Sequence, residues 1–420
     1  MSHEPLKPAN ESKQEEIPSF PFPFADHSLR VPDEYDRLRQ QCPVARVHMP
    51  HGGDAFVPTR YEEIAWAFAD PKCGPIKTSD GDVPRLEAEG VTGATTEDDP
   101  IAGFFVAEDA RHNRLRRVIA PAFSVSAANK LRSRVTEVTQ ALVDAMERSG
   151  PPADLFEDYA IQVPMTVLCE MLGIPREEEK LYRESARALI STTISIEEKM
   201  AQFMKLMQHL APVVEQARKN PGDNVFGLLV RAREKGDDLI TESEMYGLAM
   251  GLIGAGFETV STTFTNSAFI ILQQPELKEQ LRTHLEQPDQ LANAIEEILR
   301  VTPIGVGRPR ITREPVQLGE TTVPAGEVLF LVTHAANYDS SVFPDAHDVR
   351  FDREMRPILS FGRGIHACVG QQIARMELQV LWQTLLTRLP NIRLAVTPSE
   401  VPWRPDEMLT FGPQHLPVTW

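Results

Sequence analysis

Apolar residues recur at helical spacing through most of this chain, and short alternating stretches interrupt them near both ends. Tyr35 to Gln41 reads as a short helix, and Tyr61 to Ala69 as an amphipathic one. Between them Ala45–Met49 and Ala55–Thr59 alternate, with His51-Gly52-Gly53-Asp54 as a hairpin signal. Arg111 to Ala120 predicts a basic helix. Helices then dominate from Ala127 to about Gln274, broken at Gly150-Pro151-Pro152, Gly173-Ile174-Pro175 and Asn220-Pro221-Gly222. Ala294 to Arg300 is helical again. Val316–Leu318, Thr321–Val323 and Val328–Thr333 predict short strands, with turns at Gly319-Glu320 and Pro324-Ala325-Gly326. A last run at Val369, Ile373, Met376, Val380, Leu381, Leu385 and Leu389 has helical period, and Pro390 closes it. Asp70 to Asp109 shows little periodicity, which marks a functional or disordered stretch. Pro18 to Phe24 suggests an extended lead-in packed on the body. The pattern predicts a mainly α fold with small β-sheets. It holds no internal repeats and no linker long enough to separate domains, so residues 1–18 read as a disordered tail and 19–420 as a single domain.

One predicted helix is unusual. Ser243 can cap a run reaching about Leu272, and its middle, Met245 to Phe257, is apolar nearly all round, which buries it. Gly247, Gly251, Gly254 and Gly256 would each cost ~1 kcal/mol against alanine there, so the sequence implies close approach or a distortion. Glu258 beside Thr259 places an acid next to a hydroxyl, a combination able to relay protons. The bland alternative is a threonine bonded back to the i−4 carbonyl and a salt-bridged glutamate.

Composition narrows the class. The 420 residues are 42% hydrophobic and 25% charged, as in soluble globular proteins. No run of ~18 apolar residues predicts a membrane span, and Met1 to Pro18 lacks the apolar core of a signal peptide, which suggests a cytoplasmic protein. Four cysteines (Cys42, Cys73, Cys169, Cys368) form no C-x-x-C pair or disulfide framework. A net charge of −17 argues against nucleic acid. Cys169 sits in an apolar helix and reads as core. Cys368 differs: it lies in the glycine-rich stretch Phe361 to Gly370, just before the last helix. A helix N-terminus lowers a thiol pKa, and the thiolate is the metal-binding form. Gly362, Gly364 and Gly370 can take positive φ or admit a flat ligand.

Phe361-Gly362-Arg363-Gly364-Ile365-His366-Ala367-Cys368-Val369-Gly370 resembles the haem-binding loop of cytochrome P450, Phe-Gly-x-Gly-x-His-x-Cys-x-Gly. The resemblance implies haem b with Cys368 as the axial thiolate, and Phe361, Gly362, His366 and Gly370 as loop residues around it. Ala255-Gly256-Phe257-Glu258-Thr259 resembles that family's Ala-Gly-x-Asp/Glu-Thr, where a helix bulge makes the dioxygen groove. His112 and Arg116, one turn apart, match its His-x-x-x-Arg and would hold the haem propionates with Arg310, for which Arg308 competes. Glu297 and Arg300 match the structural E-x-x-R pair. Some positions depart from the family: Tyr338 and Met355 stand where arginine is usual, and Ile358 where histidine is frequent. Either Arg353 or Arg356 could complete the Glu297–Arg300 network. The family's pocket positions are the Pro75–Phe105 loop, Met250, Ile253, Val306, Met408 and Leu409. Leu181 to Lys219 would roof the substrate, with Met200, Met204 and Met207 more often core than pocket.

The implied activity is monooxygenation of a medium-sized hydrophobic metabolite in secondary metabolism, with O2 and two external electrons from ferredoxin and ferredoxin reductase. The expected enzyme is a monomer. Arg111, Arg114, Arg117 and Arg363 could form a basic docking patch for the ferredoxin. Oxidative C–C or C–N coupling is the alternative within the class. A non-catalytic haem sensor and a peroxide-driven enzyme are remote, since neither needs Glu258 beside Thr259.

Overall fold

A computed structural model describes residues 17–86, 109–190, 194–234, 240–404 and 410–420. The lead-in is packed as its aromatic residues predict. Ser19 bridges to His48, Phe20 and Phe22 are buried, and the Phe20 ring lies 5.1 Å from Phe330. Helix α1 (Glu34–Gln41) leads into a hairpin of β1 (Val44–His48) and β2 (Asp54–Pro58), paired from Val44–Pro58 to His48–Asp54. Helix α2 (Tyr61–Ala69) has the predicted bounds. A two-residue strand β3 (Cys73–Gly74) follows, too short to leave a pattern in the sequence.

Helix α3 (Asp109–Ile119) is the basic helix, and α4 (Val125–Ser149) starts where Ser124 Oγ accepts the Ala127 amide. Strand β4 (Ala153–Asp154) and a π-helical turn, Phe156–Ala160, precede α5 (Gln162–Leu172). Gly173 ends α5 at φ +78°, as its place in Gly173-Ile174-Pro175 suggests. Helices α6 (Glu179–Ile190) and α7 (Ile196–Lys219) form the expected pair, followed by α8 (Val225–Glu234). The methionine expectation fails on α7 for Met200 and Met204, while Met207 is partly buried against the core. Met200 and Met204 are 55% and 51% exposed, because Leu206, Leu210, Val214 and Ala217 form the buried stripe and leave those two on another face.

The long helix is two helices. Strand-free backbone at Phe257 (φ −105°, ψ −43°) separates α9 (Glu242–Gly256) from α10 (Glu258–Leu272). Its cap is Thr241, not Ser243: Thr241 Oγ1 accepts the Glu244 amide at 3.1 Å while Glu244 accepts the Thr241 amide at 2.8 Å. The glycines' implied close approach is visible at Gly256, where a Cβ would stand 3.3 Å from Leu168 of α5.

Helices α11 (Pro275–His284) and α12 (Pro288–Val301) lead to β5 (Arg308–Thr312), the hairpin β6 (Val316–Leu318) and β7 (Thr321–Val323), and β8 (Val328–Leu331). Helix α13 (Thr333–Asn337), the final helix α14 (Gln371–Arg388), β9 (Arg393–Leu394) and β10 (Pro417–Thr419) complete the order. The main sheet runs β1-β2-β8-β5-β3, antiparallel except for β2 with β8. A second sheet, β4-β10-β9, joins the middle of the chain to its end. Helix α14 packs along α4, and Trp382 is fully buried 5.0 Å from Phe264 of α10. Among the described residues no helix is long and apolar enough to cross a membrane.

Candidate active site

The stretch carrying Cys368 is held from three sides. Gly362 and Gly364 adopt φ of +67° and +77°, whereas Gly370 does not, at φ −80° as the N-cap of α14. At Gly364 a Cβ would stand 2.8 Å from Phe68 O and from Ala69 Cα, so the end of α2 demands glycine there. The Cys368 amide donates to Phe361 O at 2.8 Å and closes the loop on itself. Arg375 of α14 lies over the Phe361 ring at 4.6 Å and pairs with Glu296 of α12. At the loop's entry, Asn337 Oδ1 accepts the Leu359 amide and its Nδ2 donates to Ser360 Oγ, both at 2.8 Å.

That entry is anchored to a buried ion network. Glu297 and Arg300 are fully buried and paired through two hydrogen bonds of 2.7 and 2.8 Å. Arg353 Nε lies 3.2 Å from both Glu297 oxygens, so Arg353, not the exposed Arg356, completes the set. The remaining donors reach backbone: Arg300 to Asn337 O, Ala346 O and Asp348 O, and Arg353 to Pro344 O, Asp345 O and Asp348 O. The pair is thus a buried, fully hydrogen-bonded network rather than a solvated i,i+3 contact. Tyr338, the departure from the expected arginine, packs 5.4 Å from the Arg300 guanidinium, opposite Phe343 at 5.5 Å, and donates to Val301 O.

Around Cys368 the chemistry changes sign. Cys368 is exposed by surface area, yet burial pushes its thiol up, which places it in a concavity walled by protein. The helix-end effect read from the sequence is therefore outweighed: the Gly370 amide, Arg116, Arg308 and Arg375 favour the thiolate, but burial dominates. Arg116 Nη1 donates to Ala367 O at 2.6 Å, and the His112 and His366 rings lie 4.3 Å apart, tilted by 49°. Burial, aided by the neighbouring Arg116, holds His112 down at about 4. Burial also holds His366 down at about 3, with His112, Arg310 and Arg116 adding to it. Arg310, above the Phe68 ring at 5.6 Å, is pushed down to about 10 by burial and by Arg308. Among the described residues neither Arg116 nor Arg310 is paired with a carboxylate; Arg310 donates only to Pro309 O.

This donor set fits haem b. One thiol in a concavity suits a single axial ligand, since no group of three or more His, Cys, Asp or Glu among the described residues could hold a metal ion by itself. Two half-buried guanidiniums without carboxylates suit the two propionates at a macrocycle's edge. The Nε2 of His366 is buried without a hydrogen-bond partner beside them.

Around the break between α9 and α10 the positions that are not buried are Leu252, Gly254, Ala255, Gly256 and Thr259, of which Leu252, Ala255, Gly256 and Thr259 share the spacing i, i+3, i+4, i+7. Met250 and Ile253, expected in the pocket, are 2% and 1% exposed: they point into the core, because the open stripe is phased one position away. Val306 is partly buried, while Met408 and Leu409, like residues 87–105 of the Pro75–Phe105 loop, lie outside the described residues. Thr259 Oγ1 donates back to Ala255 O at 2.9 Å. Glu258 is buried, 3.0 Å from Arg404 and 3.9 Å from Arg187. Neither shares a hydrogen bond or ion pair with Cys368. The cofactor wall and the α9 wall meet instead at Glu244, which takes both Arg111 (3.1 Å) and Arg114 (2.7 Å). Those two arginines therefore tie α3 to α9, and of the four residues of the expected docking patch only Arg117 and Arg363 are exposed. Glu244, Arg375 and Arg404 were not singled out from the sequence; each forms an ion pair across more than seventy residues, and the one local signal is the Thr241–Glu244 capping box, which speaks only for a helix start.

A profile of the cytochrome P450 family matches residues 87–416. The chain is 37% identical over 405 residues to mycinamicin IV hydroxylase/epoxidase of Micromonospora griseorubida, covering 95% of this chain and 98% of that protein. The solved structure of the cytochrome P450 hydroxylase from the leinamycin biosynthetic pathway of Streptomyces atroolivaceus superposes with a TM-score of 0.86 at 33% identity, over 96% of this chain and 100% of that one. A cytochrome P450 with biaryl coupling reactivity superposes with a TM-score of 0.81 at 30% identity, over 94% and 98%.

Proposed function

The chain belongs to the cytochrome P450 family, and from that premise we propose that it oxidises a medium-sized hydrophobic natural product in a tailoring step. It is a haem b monooxygenase: O2, two electrons and two protons enter, one oxygen atom goes to the substrate and the other leaves as water. Bound haem supplies the O–O cleavage, which an axial thiolate favours by donating electron density.

The protein's part falls to named residues. Cys368 would hold the haem iron through its thiolate, on a loop fixed by Asn337, Arg375 and Gly364. Arg116, Arg310 and His112 receive the propionates, and Phe361, Gly362, His366 and Gly370 line the ligand loop. Ala255 and Gly256 leave room over the reacting face at the break before Phe257. Thr259 Oγ1 hands a proton to the oxygen being reduced, and Glu258 resupplies it. The observation that carries the substrate class is the open stripe of Leu252, Ala255, Gly256 and Thr259, apolar but for one hydroxyl. It suits a hydrophobic ligand with water excluded, and the similar hydroxylase/epoxidase acts on mycinamicin IV. Titration with a panel of macrolides and other hydrophobic natural products, read as a Soret spin-state shift, tests this. A panel that shifts only with small polar ligands would reject it.

Electrons come from outside redox partners, here an acidic ferredoxin and its reductase. Arg117 and Arg363 form the exposed part of the docking patch, on a chain whose net charge is −17 overall. Arg117→Glu with Arg363→Glu should slow reduction by ferredoxin at low salt; an unchanged rate would reject the patch. Oxidative coupling is favoured as a second reading by the superposition on a protein with biaryl coupling reactivity. Product mass separates the two: plus one oxygen for oxygenation, minus two hydrogens for coupling.

A further inference from the structure

We propose that Asn266 is a positioning residue that decides which substrates fit: it pins the C-terminal ribbon across the end of the open stripe on α10 and so sets how far a bound molecule can extend. The proposal rests on the reading of Leu252, Ala255, Gly256 and Thr259 as the substrate side.

The stripe stops abruptly. Thr259 is partly exposed, yet every residue of α10 from Val260 to Phe269 is buried. Thr262, Thr263 and Asn266 continue the face of Thr259 at i+3, i+4 and i+7, so that face is covered beyond the first turn. The cover is the end of the chain. Trp403 bridges to Pro413, the Arg404 amide donates to Gly412 O at 3.0 Å and the Gln414 amide to Pro402 O at 2.8 Å, which makes residues 402–404 and 412–414 an antiparallel ribbon. The ribbon touches α10 first at Thr262, where Arg404 Nη1 donates to Thr262 Oγ1 at 2.6 Å and to Thr410 Oγ1 at 2.7 Å. It is held at Asn266. There Nδ2 donates to Phe411 O at 3.0 Å and to Pro303 O at 2.9 Å. The Phe411 amide in turn donates to Ile304 O at 3.3 Å. One side chain therefore fastens two segments, the ribbon and the run 303–306 that leads to β5, onto the face that carries Thr259.

Asparagine is a poor choice for the middle of a buried helix, where its amide competes for backbone bonds and is costly to bury unless paired. Here its donor is spent on two carbonyls outside the helix. Its Oδ1 is buried without a hydrogen-bond partner and faces the ribbon: a Cβ on Gly412 (φ +132°) would stand 2.0 Å from it. The ribbon thus lies against the amide as closely as a glycine permits. Phe411, beside that glycine, is partly buried, and its ring lies 4.5 Å from Phe24 of the lead-in. Phe411 is therefore backed by Phe24 and bonded at both its amide and its carbonyl. It makes a fixed end to the stripe. A bulky or extended apolar molecule meets that end, whereas a small one beside Cys368 does not reach it.

The test compares haem-loaded wild type with Asn266→Leu, Asn266→Ser, Phe411→Ala and the double variant Asn266→Leu/Phe411→Ala. The reduced CO spectrum and urea unfolding first establish thiolate ligation and folding. Each protein is then titrated, by Soret shift, with two nitrogen ligands of haem iron: imidazole, which is small, and clotrimazole, whose chlorotrityl group extends along the stripe. If Asn266 holds the end wall, imidazole affinity stays within about twofold of wild type, whereas clotrimazole affinity rises about tenfold in Asn266→Leu and in Phe411→Ala. The double variant gains less than the product of the two single changes, because both act on one wall. Should Asn266→Leu not retain haem, Asn266→Ser, too short to reach either carbonyl, carries the same expectation. An unchanged or lowered preference for clotrimazole over imidazole in the Asn266 variants, with Phe411→Ala altered, would overturn the role of Asn266 and leave the stripe standing. Equal losses for both ligands would make Asn266 a stabilising residue only, which overturns the proposal as well. Imidazole binding without any clotrimazole shift in wild type would remove the stripe as a hydrophobic site, and this inference with it.

Discussion

Two arginine clusters flank the Cys368 loop, and they are built on opposite principles. In the cluster of Glu297, Arg300 and Arg353, the carboxylate and five backbone carbonyls, one of them shared, absorb nearly every guanidinium donor. In the cluster of Arg116 and Arg310 beside His112 and His366, cationic and imidazole groups gather where the two arginines meet no carboxylate among the described residues. The first cluster is closed and holds the fold together; the second is open and invites an anionic ligand. Similar residues serve structure in one place and binding in the other, and the difference lies in whether the chain itself supplies the counter-charge.

The sharpest break of this comparison removes what lies between the clusters. Cys368→Ser should abolish the red-shifted Soret band of the reduced CO complex and all oxygen-dependent turnover while the helices stay folded by circular dichroism. A retained band would mean another residue binds the iron. Next in size is the closed cluster. Glu297→Gln leaves two buried guanidiniums without a carboxylate and should cost about 3–5 kcal/mol in urea unfolding. Arg356→Ala, at an exposed neighbour, should cost under about 0.5 kcal/mol. The open cluster should respond the other way. Arg310→Met should leave the haem-free protein as stable as wild type or more so, since burial already disfavours that charge, yet weaken haem affinity about ten- to a hundredfold. Equal losses in the free and loaded forms would erase the distinction between the two clusters.

The smallest effect comes from a buried imidazole outside both clusters. His334 is 3% exposed, lies between Phe24 and Tyr35, and is held down at about 3 by burial. Its folded pKa is below the unfolded value, so the unfolded chain binds the extra proton. The stabilising contribution is complete above about pH 6.5 and is lost as pH falls toward 3. His334→Gln should remove about 1.4 kcal/mol per pH unit from the acid slope of stability between pH 6 and 4. An unchanged slope in urea unfolding across that range would show that His334 does not titrate on unfolding.

Much of this architecture is legible in the sequence wherever the cause is local. The bounds of α2, the β1–β2 hairpin, the Gly173 stop and the start of α14 all follow from periodicity and punctuation within a few residues. The Cys368 loop is legible in part because Gly362 and Gly364 take positive φ within it. What the sequence hides is long-range or a matter of phase. Strands β3, β4 and β9 are two residues long and exist only because a distant partner pairs with them. Met250 and Ile253 fail as pocket residues by one helical position, which no apolar pattern resolves in a helix hydrophobic on all sides. Arg353 over Arg356 is decided by backbone carbonyls that converge from residues 344–348. Arg404 looks like a surface arginine in Pro402-Trp403-Arg404 until the fold brings it to Glu258.

The interruption at Phe257 also has a bearing on how such a protein can diversify. The half before it, α9, is fastened to α3 through Glu244 and packs on α5 and α6; the half after it, α10, is fastened to α14, to the π-helical turn and to Asn266's bonds with Pro303 and Phe411. A continuous rod would transmit any change at one end to the other. A jointed one lets descendants remodel the side that meets new molecules while the machinery beneath keeps its register, so novelty and conservation can coexist along thirty-one consecutive residues.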